Sequence, residues 1–314
     1  STTRASYDID ERTNKLVRLE TGTYGNKNIS FNIETPVDDS FTALISGNLL
    51  QTDGFSATNP NQTFSSDPTD SDNDKHKNET INLSLSKRLK NGLANFTYFK
   101  TDSETFFDNS FFGSNPKQNS DQEQINFVYN FDLANENNAQ ISFDSSKIKL
   151  RYNYGQSFVT KEDKVAFQND IQLDGNSNLL LGVEKRSVSR NPSSSGIKSR
   201  DFESVFLAYV SQRGPVALQA NLRNDNTNRF KSRVTYLMGV GYSITPEHSF
   251  NINHSTGFVS PNAYALSTNS EVLPEEHEQF EAGYTFLKDS LMFRLFYFDT
   301  KTTNPITYDP SDGY

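Results

Sequence analysis

Cysteine and tryptophan are both absent from this 314-residue chain, and methionine occurs only twice. Without cysteine there is no disulfide framework, and no thiolate to ligate a metal or attack a substrate. Without tryptophan, any membrane interface must be marked by the 14 tyrosines and 25 phenylalanines instead. No apolar run approaches the ~20 residues that a membrane-spanning helix needs. Basic residues are outnumbered, 30 against 39 acidic, for a net charge of −9. No cluster of them offers a stripe for phosphates, which argues against nucleic acid as a partner. Hydrolase, zinc-protease and phosphate-loop motifs are missing too. The one adjacent His/Ser pair on an expected strand, His254-Ser255, points to opposite faces, so the chain is not expected to be an enzyme.

What is present is a rhythm. From Gln124 to Phe131 the chain reads Gln-Ile-Asn-Phe-Val-Tyr-Asn-Phe, with Ile125, Phe127, Tyr129 and Phe131 in alternation with other residues. A period of two places them on one face of an extended strand, with Asn126 and Asn130 on the other. The mean hydropathy of −0.70 is low. It does not count against strands that are apolar on one face only and separated by polar loops.

The same alternation predicts strands over 16–24, 28–35, 41–50, 80–89, 93–100 and 124–131. It continues over 147–158, 164–173, 178–189, 202–210, 216–223, 232–244, 249–258, 279–286 and 290–298. Short turns such as Lys90-Asn91-Gly92 and Asp174-Gly175-Asn176 alternate with long polar stretches at 51–78, 101–121 and 259–278. Clipped turns on one side and extended loops on the other suit an outer-membrane barrel. Three sets are expected to face lipid: Ile148, Leu150, Tyr152 and Tyr154; Val205, Leu207 and Tyr209; Val234, Tyr236, Met238, Val240 and Tyr242. Lys149, Arg151, Asn153, Gln219, Asn221 and Arg223 are expected to line the interior. The fold expected is therefore all-β, an antiparallel transmembrane β-barrel with about fifteen strands in this chain. That count is odd for a bacterial barrel, and both termini read as cuts within a longer protein, with no signal peptide visible at Ser1.

Several segments carry a resemblance. Thr2-Thr3-Arg4 resembles the end of a plug domain. Arg223-Asn224-Asp225-Asn226-Thr227-Asn228-Arg229-Phe230 resembles an Arg-x-Asp-Asp/Asn-x-x-x-Phe element. Gly257-Phe258-Val259-Ser260-Pro261-Asn262 resembles a mid-barrel Ala-Pro-Asn segment. Leu273-Pro274-Glu275-Glu276 followed by Gln279-Phe280-Glu281-Ala282-Gly283 resembles the Leu-x-Pro-Glu to Glu-x-Gly signature. These elements resemble those of TonB-dependent outer-membrane receptors, and within them those of cobalamin transporters. The resemblance implies that residues 1–12 form a plug-to-barrel junction and 13–314 part of a barrel of about 22 strands. It further implies import of cobalamin across the bacterial outer membrane, driven by a TonB-type periplasmic protein. A siderophore receptor and a passive porin or adhesin are the alternatives within barrels, and a soluble glycan-binding module is the alternative outside them.

Two sets of candidate site residues lie in the first two long loops. Asp70, Asp72 and Asp74 alternate, so an extended segment would aim three carboxylates one way; a solvated acidic loop would look the same. The resemblance implies that Asp53, Asp72, Asp74 and Asp108, with Asp121, hold Ca²⁺ and stiffen these loops, since hard cations take several oxygens. Phe106, Phe107, Phe111 and Phe112 form either a hydrophobic cap or a contact for a large substrate such as a corrinoid or siderophore. His76, His248, His254 and His277 are scattered, without metal-ligand spacing.

Overall fold

A computed structural model describes residues 14–56, 73–107, 116–134, 137–192, 199–262, 265–266, 269 and 271–307. Fifteen strands follow one another: β1 (Asn14–Thr21), β2 (Lys27–Asp38), β3 (Phe41–Thr52), β4 (His76–Leu89), β5 (Gly92–Phe106), β6 (Lys117–Ala134), β7 (Asn137–Tyr152), β8 (Ser157–Asp174), β9 (Ser177–Pro192), β10 (Ser199–Arg213), β11 (Val216–Thr227), β12 (Arg233–Ser243), β13 (His248–Val259), β14 (Glu275–Lys288) and β15 (Leu291–Thr303). They form one sheet in strict sequence order, each strand bonded to its chain neighbours. Neighbouring strands pair antiparallel, for example with Ile33 opposite Ile45 and Leu222 opposite Leu207. The chain thus has the all-β antiparallel meander that its period of two predicts. The junction expected over 1–12 lies outside the described residues.

Connections alternate strictly in length. Those leaving even-numbered strands are tight, at 39–40, 90–91, 135–136, 175–176, 214–215, 244–247 and 289–290, while the longest ones, 53–75, 107–116 and 260–274, leave odd-numbered strands. Side chains hold the tight turns closed. Asp38 accepts from both the amide and the hydroxyl of Ser40 at 2.7 Å and from the Lys87 ammonium at 3.1 Å. Asp174 accepts from the Asn176 amide at 2.8 Å and pairs with Arg213 at 2.7 Å.

Several strand boundaries differ from the sequence expectation: β5 runs on to Phe106 and β6 starts at Lys117, so the loop expected over 101–121 shrinks to 107–116, and β7 starts at Asn137. The segment 147–158 is not one strand but the end of β7, a turn at 153–156 and the start of β8. Gly155 takes φ +94°, a left-handed conformation that L side chains avoid, and the Gly155 amide donates to Tyr152 O at 3.1 Å. Its neighbour Tyr154 is therefore in a turn rather than facing lipid.

The sheet has no soluble core. Among the described residues, Ala139, Phe202, Ala265 and Leu266 are the buried apolar ones, whereas Val205 and Met238 are each 60% exposed. A sandwich of this size would hide such side chains against a second layer. Along β12 the exposed Val234, Met238, Val240 and Tyr242 alternate with the less exposed Arg233, Thr235, Leu237, Gly239 and Gly241. The sheet accordingly has an apolar face and a polar face. Polar-face side chains bond to each other across strands: Asn28 to Glu20 at 2.8 Å, Ser86 to Asn95 at 2.8 Å, Gln219 to Asn253 at 3.3 Å.

The apolar face is not apolar throughout. Toward the long connections it changes character in one step: Ile81 to Glu79 on β4, Tyr98 to Lys100 on β5, Ile125 to Glu123 on β6, Val165 to Asp163 on β8, Val183 to Lys185 on β9 and Val205 to Glu203 on β10. The charges in this margin neutralise one another, with Lys77–Glu79 at 2.6 Å, Lys100–Asp102 at 3.1 Å, Lys117–Glu104 at 3.0 Å and Lys185–Glu203 at 2.8 Å.

The chain divides into two compact units, described separately below. One comprises Ser1–Asn130, Ser142–Asp163 and Val188–Ser194; the other comprises Phe131–Ile141, Lys164–Ser187 and Ser195–Tyr314.

Candidate substrate-binding face

In the first unit, the base of the first long connection is built around three backbone positions with positive φ. Tyr24 (φ 56°) and Gly25 (φ 65°) make the β1–β2 turn, and Gly54 (φ 64°) leaves β3. The Asp53 amide donates to Tyr24 O at 2.8 Å, as does the Thr52 hydroxyl at 3.0 Å, and the Gly54 amide donates to Thr52 Oγ1 at 3.1 Å. Asp74 presses its backbone against Gly54, and the Asp53 carboxylate lies against Gly25; a Cβ on either glycine would collide with them. Of the residues expected to hold Ca²⁺, Asp53 thus sets its carboxylate against Gly25, and Asp74 its backbone carbonyl against Gly54. Asp72 and Asp108 lie outside the described residues. Asp121 pairs with Arg151 at 2.7 Å, and no group of three or more His, Asp or Glu able to hold a metal occurs among the described residues.

Asp121 and Arg151 also reveal an inversion. On β6, Asp121 shares parity with Glu123, Ile125 and Phe127, and Glu123 accepts from the Tyr98 hydroxyl at 3.2 Å on the apolar face. Arg151 reaches that same face, so Lys149 and Arg151 do not line the interior as the alternation predicts. Asn126 on β6 bonds to Asp144 on β7 at 2.5 Å on the polar face, and the even residues Ile148, Leu150 and Tyr152 follow Asp144 there. The expected lipid-facing set on β7 faces the other way. The cause is length: β7 runs past the apolar zone marked by the exposed Ile141 and Phe143, and beyond it the outward face must be wet.

The inverted side chains build an aromatic cluster at the loop end of the polar face. Tyr152 meets Phe107 edge-on with ring centres 6.3 Å apart, stacks on Tyr154 at 5.1 Å and meets Phe158 at 6.3 Å. The Arg190 guanidinium lies 4.9 Å from the Phe158 ring centre, and the buried Arg190 Nε has no hydrogen-bond partner. Burial among aromatic neighbours raises the pKa of Tyr154, a residue of the 153–156 turn. The cluster takes Phe107 from the expected aromatic set and leaves Phe106 out. Phe106 is the last residue of β5, points to the opposite face and lies 5.6 Å beneath the Lys117 ammonium. Phe111 and Phe112 lie outside the described residues. Tyr152, Phe158 and Arg190 are gains of the structure. Their sequence positions hold no signal beyond ordinary strand residues.

In the second unit, the polar face of β9–β11 carries a charged cluster. Arg223 donates through Nε to Asp225 at 2.9 Å and through Nη2 to Glu184 Oε1 at 3.0 Å and Ser204 Oγ at 2.8 Å. Ser204 donates in turn to Asp225 at 2.6 Å, and the guanidinium lies 5.5 Å from the Phe206 ring. Phe206 itself lies flat against Gly182, where any side chain would strike the ring. One cation here serves two carboxylates, leaving a net negative charge on an interior wall. Arg223 was expected on this face, and the Arg-x-Asp spacing that places both groups on one side was visible in the sequence. The histidines join polar pairs instead of a metal group, as with His248 to the Tyr284 hydroxyl at 2.7 Å and His277 to Glu275 at 2.8 Å.

A family model described as a TonB-dependent receptor-like β-barrel matches residues 7–314. The chain belongs to that family. Its polar face is thus the wall of an outer-membrane barrel and its apolar band the lipid contact, with long loops outside and tight turns in the periplasm. Members are receptors rather than enzymes. Among curated relatives, the vitamin B12 transporter BtuB of Vibrio vulnificus is 32% identical over 88 residues, covering 28% of this chain and 14% of that protein. BtuB of Photobacterium profundum is 24% identical over 165 residues, covering 51% and 27%. The fold is that of the ferric-catecholate import receptor Fiu of E. coli, with TM-score 0.75, 10% identity and coverage of 97% of this chain and 60% of that one. The siderophore receptor PirA of Pseudomonas aeruginosa gives TM-score 0.72, 13% identity and coverage of 88% and 52%. The chain therefore spans only part of each relative's length.

Proposed function

We propose that the protein containing this chain is a TonB-dependent active transporter that captures a large, scarce nutrient at its loop face and imports it. The supporting observation is the family match over almost the whole chain, on strands that keep a polar, hydrogen-bonded interior beneath long loops. A periplasmic TonB-type protein would supply the energy through parts of the receptor beyond these strands.

Cobalamin is the first reading of the cargo. It is supported by the curated relatives and by the Asp53 carboxylate against Gly25 and the Asp74 backbone against Gly54, where Ca²⁺ would tie the first long loop to the β1–β2 turn. In that reading Asp72 and Asp108 complete the ligand set and Asp121 does not join it. A ferric siderophore is the second reading, favoured by Phe107, Tyr152, Phe158 and the half-buried Arg190 at the loop end. A guanidinium beside half-buried aromatic rings suits a conjugated anionic chelate. Calorimetric titration of the full-length receptor separates them. Tight cyanocobalamin binding that is lost on chelating calcium supports the first, ferric catecholate binding indifferent to chelator supports the second, and binding of neither removes both.

A further inference from the structure

On the polar face of β1–β5 most amide and hydroxyl side chains pair across strands. Toward the loops Asn48 donates to Asn28 at 2.5 Å and Asn28 to Glu20 at 2.8 Å, while Asn78 donates to Thr101 at 3.1 Å. Toward the tight turns Ser84 and Thr97 pair at 3.4 Å, and Ser86 donates to Asn95 at 2.8 Å. Between these two tiers runs one row, Leu16, Asn32, Ser46, Asn82 and Phe99, set opposite one another by register on five successive strands. The side chains of Asn32, Ser46 and Asn82 hydrogen-bond to no described residue.

The row borders a hollow of about 240 Å³, lined on that face by Leu16, Ser30, Asn32, Ser46, Asn48 and Thr80. Ser30 likewise has no side-chain partner among the described residues. These groups are half-buried, and what they can accept is narrow. An apolar group would strand their donors and acceptors. An anion would meet no spare charge, because Arg18, opposite Ser30, pairs with Glu20 at 2.6 Å. A hard cation would find no carboxylate in the lining. A neutral group that both donates and accepts hydrogen bonds satisfies all of them, since an amide and a hydroxyl each do both. Leu16 and Phe99 close the row with apolar surface for the carbon frame of such a group. The volume suits one ring or side group of a ligand rather than a whole large nutrient.

We propose that this hollow is a binding site for a neutral hydrogen-bonding group, the hydroxyls of a saccharide or the carboxamides of a larger molecule, held by Asn32, Ser46 and Asn82. It lies on the inner wall below the loops, apart from Asp53 and Asp74 and from the aromatic cluster. The inference rests on the polar face being the inside of the barrel and not on which nutrient the loops capture.

Calorimetric titration of the full-length receptor tests it, with maltotriose as the hydroxyl probe, cyanocobalamin as the carboxamide probe and a ferric catecholate as the anionic control. Ser46→Leu fills the hollow, and Asn32→Ala serves if Ser46→Leu does not fold. Ser84→Leu is the control on the same face, outside the hollow. At least one neutral probe is expected to bind about tenfold more weakly to Ser46→Leu than to the parent, and equally to Ser84→Leu and the parent, with ferric catecholate binding unmoved. A response to maltotriose assigns saccharide hydroxyls, and one to cyanocobalamin assigns carboxamides. The proposal is overturned if no neutral probe depends on Ser46, as when another segment of the receptor fills the hollow. It is overturned equally if Ser84→Leu or the ferric catecholate shows the same loss. A receptor that binds neither cobalamin nor siderophore, yet loses maltotriose on Ser46→Leu, would sink both cargo readings and leave this site standing.

Discussion

Strand β12 and the loop-side half of β7 carry the same alternation of apolar and polar residues, and it means opposite things in the two places. On β12 the apolar set Val234, Met238, Val240 and Tyr242 faces outward and is exposed. On β7 the apolar set Ile148, Leu150 and Tyr152 faces the polar side, and Lys149 and Arg151 take the outward face. A period of two separates two faces and is silent about which of them meets lipid. What decides is where along its length a strand leaves the membrane. Past that level the outward face becomes charged, and apolar side chains serve the interior, here as an aromatic cluster.

The sharpest way to break this comparison is a charge scan of the two sets. Met238→Arg is expected to cost about 2–4 kcal/mol in urea unfolding of the vesicle-reconstituted full-length protein, the cost of an arginine on the lipid face. Ile148→Arg should cost roughly 1 kcal/mol or less by the same measure, because it enters a wet interior. Equal costs at the two positions would return β7 to the lipid.

Next in size is the Arg223 cluster, whose burial contrasts with the exposed pairs of the outer margin. Arg223→Met leaves Glu184 and Asp225 facing each other without a cation, and should destabilise by about 2–3 kcal/mol after allowance for partial exposure. Lys100→Met, which breaks an exposed pair, should leave the unfolding midpoint nearly unchanged.

For ligand capture, Tyr152→Ala should weaken binding of the cognate nutrient by roughly tenfold in calorimetry, as loss of a packed aromatic anchor does. Phe106→Ala should leave it unchanged. A reversed pair of results would restore the aromatic set to the loop where the sequence places it.

The smallest expected effect lies at a periplasmic turn. Ser40 and Lys87 hold the Asp38 carboxyl down at about 2, chiefly through the Ser40 hydroxyl. A lowered folded pKa gives stability that is present above the ordinary carboxylate value of 3.8 and lost as pH falls through about 2. Asp38→Asn should therefore flatten the acid limb of the stability profile between those values, lose that small contribution at neutral pH and match the parent below about 2.

Much of this molecule was legible in advance for reasons that are local. Fifteen strands, tight turns on one side and long loops on the other, and the outward sets on β10 and β12 all follow from side-chain period and turn chemistry. Arg223 was placed on the interior face by its position in the alternation. The candidate site was less legible. Phe107 was found, but its partners Tyr152, Phe158 and Arg190 come from β7, β8 and β9, and no local pattern brings them together. Gly155 hid the β7–β8 turn because its flanks, 147–154 and 157–158, continue the alternation that a single strand would show.

The amino-acid order by itself determined an antiparallel meander with one greasy and one wet side, because a pleated backbone sends neighbouring side chains to opposite faces. Only the tertiary structure decided where each strand emerges from the lipid, and so which side of β7 is inside. That depends on register across neighbouring strands, which backbone hydrogen bonds fix and the side-chain period of one strand does not contain.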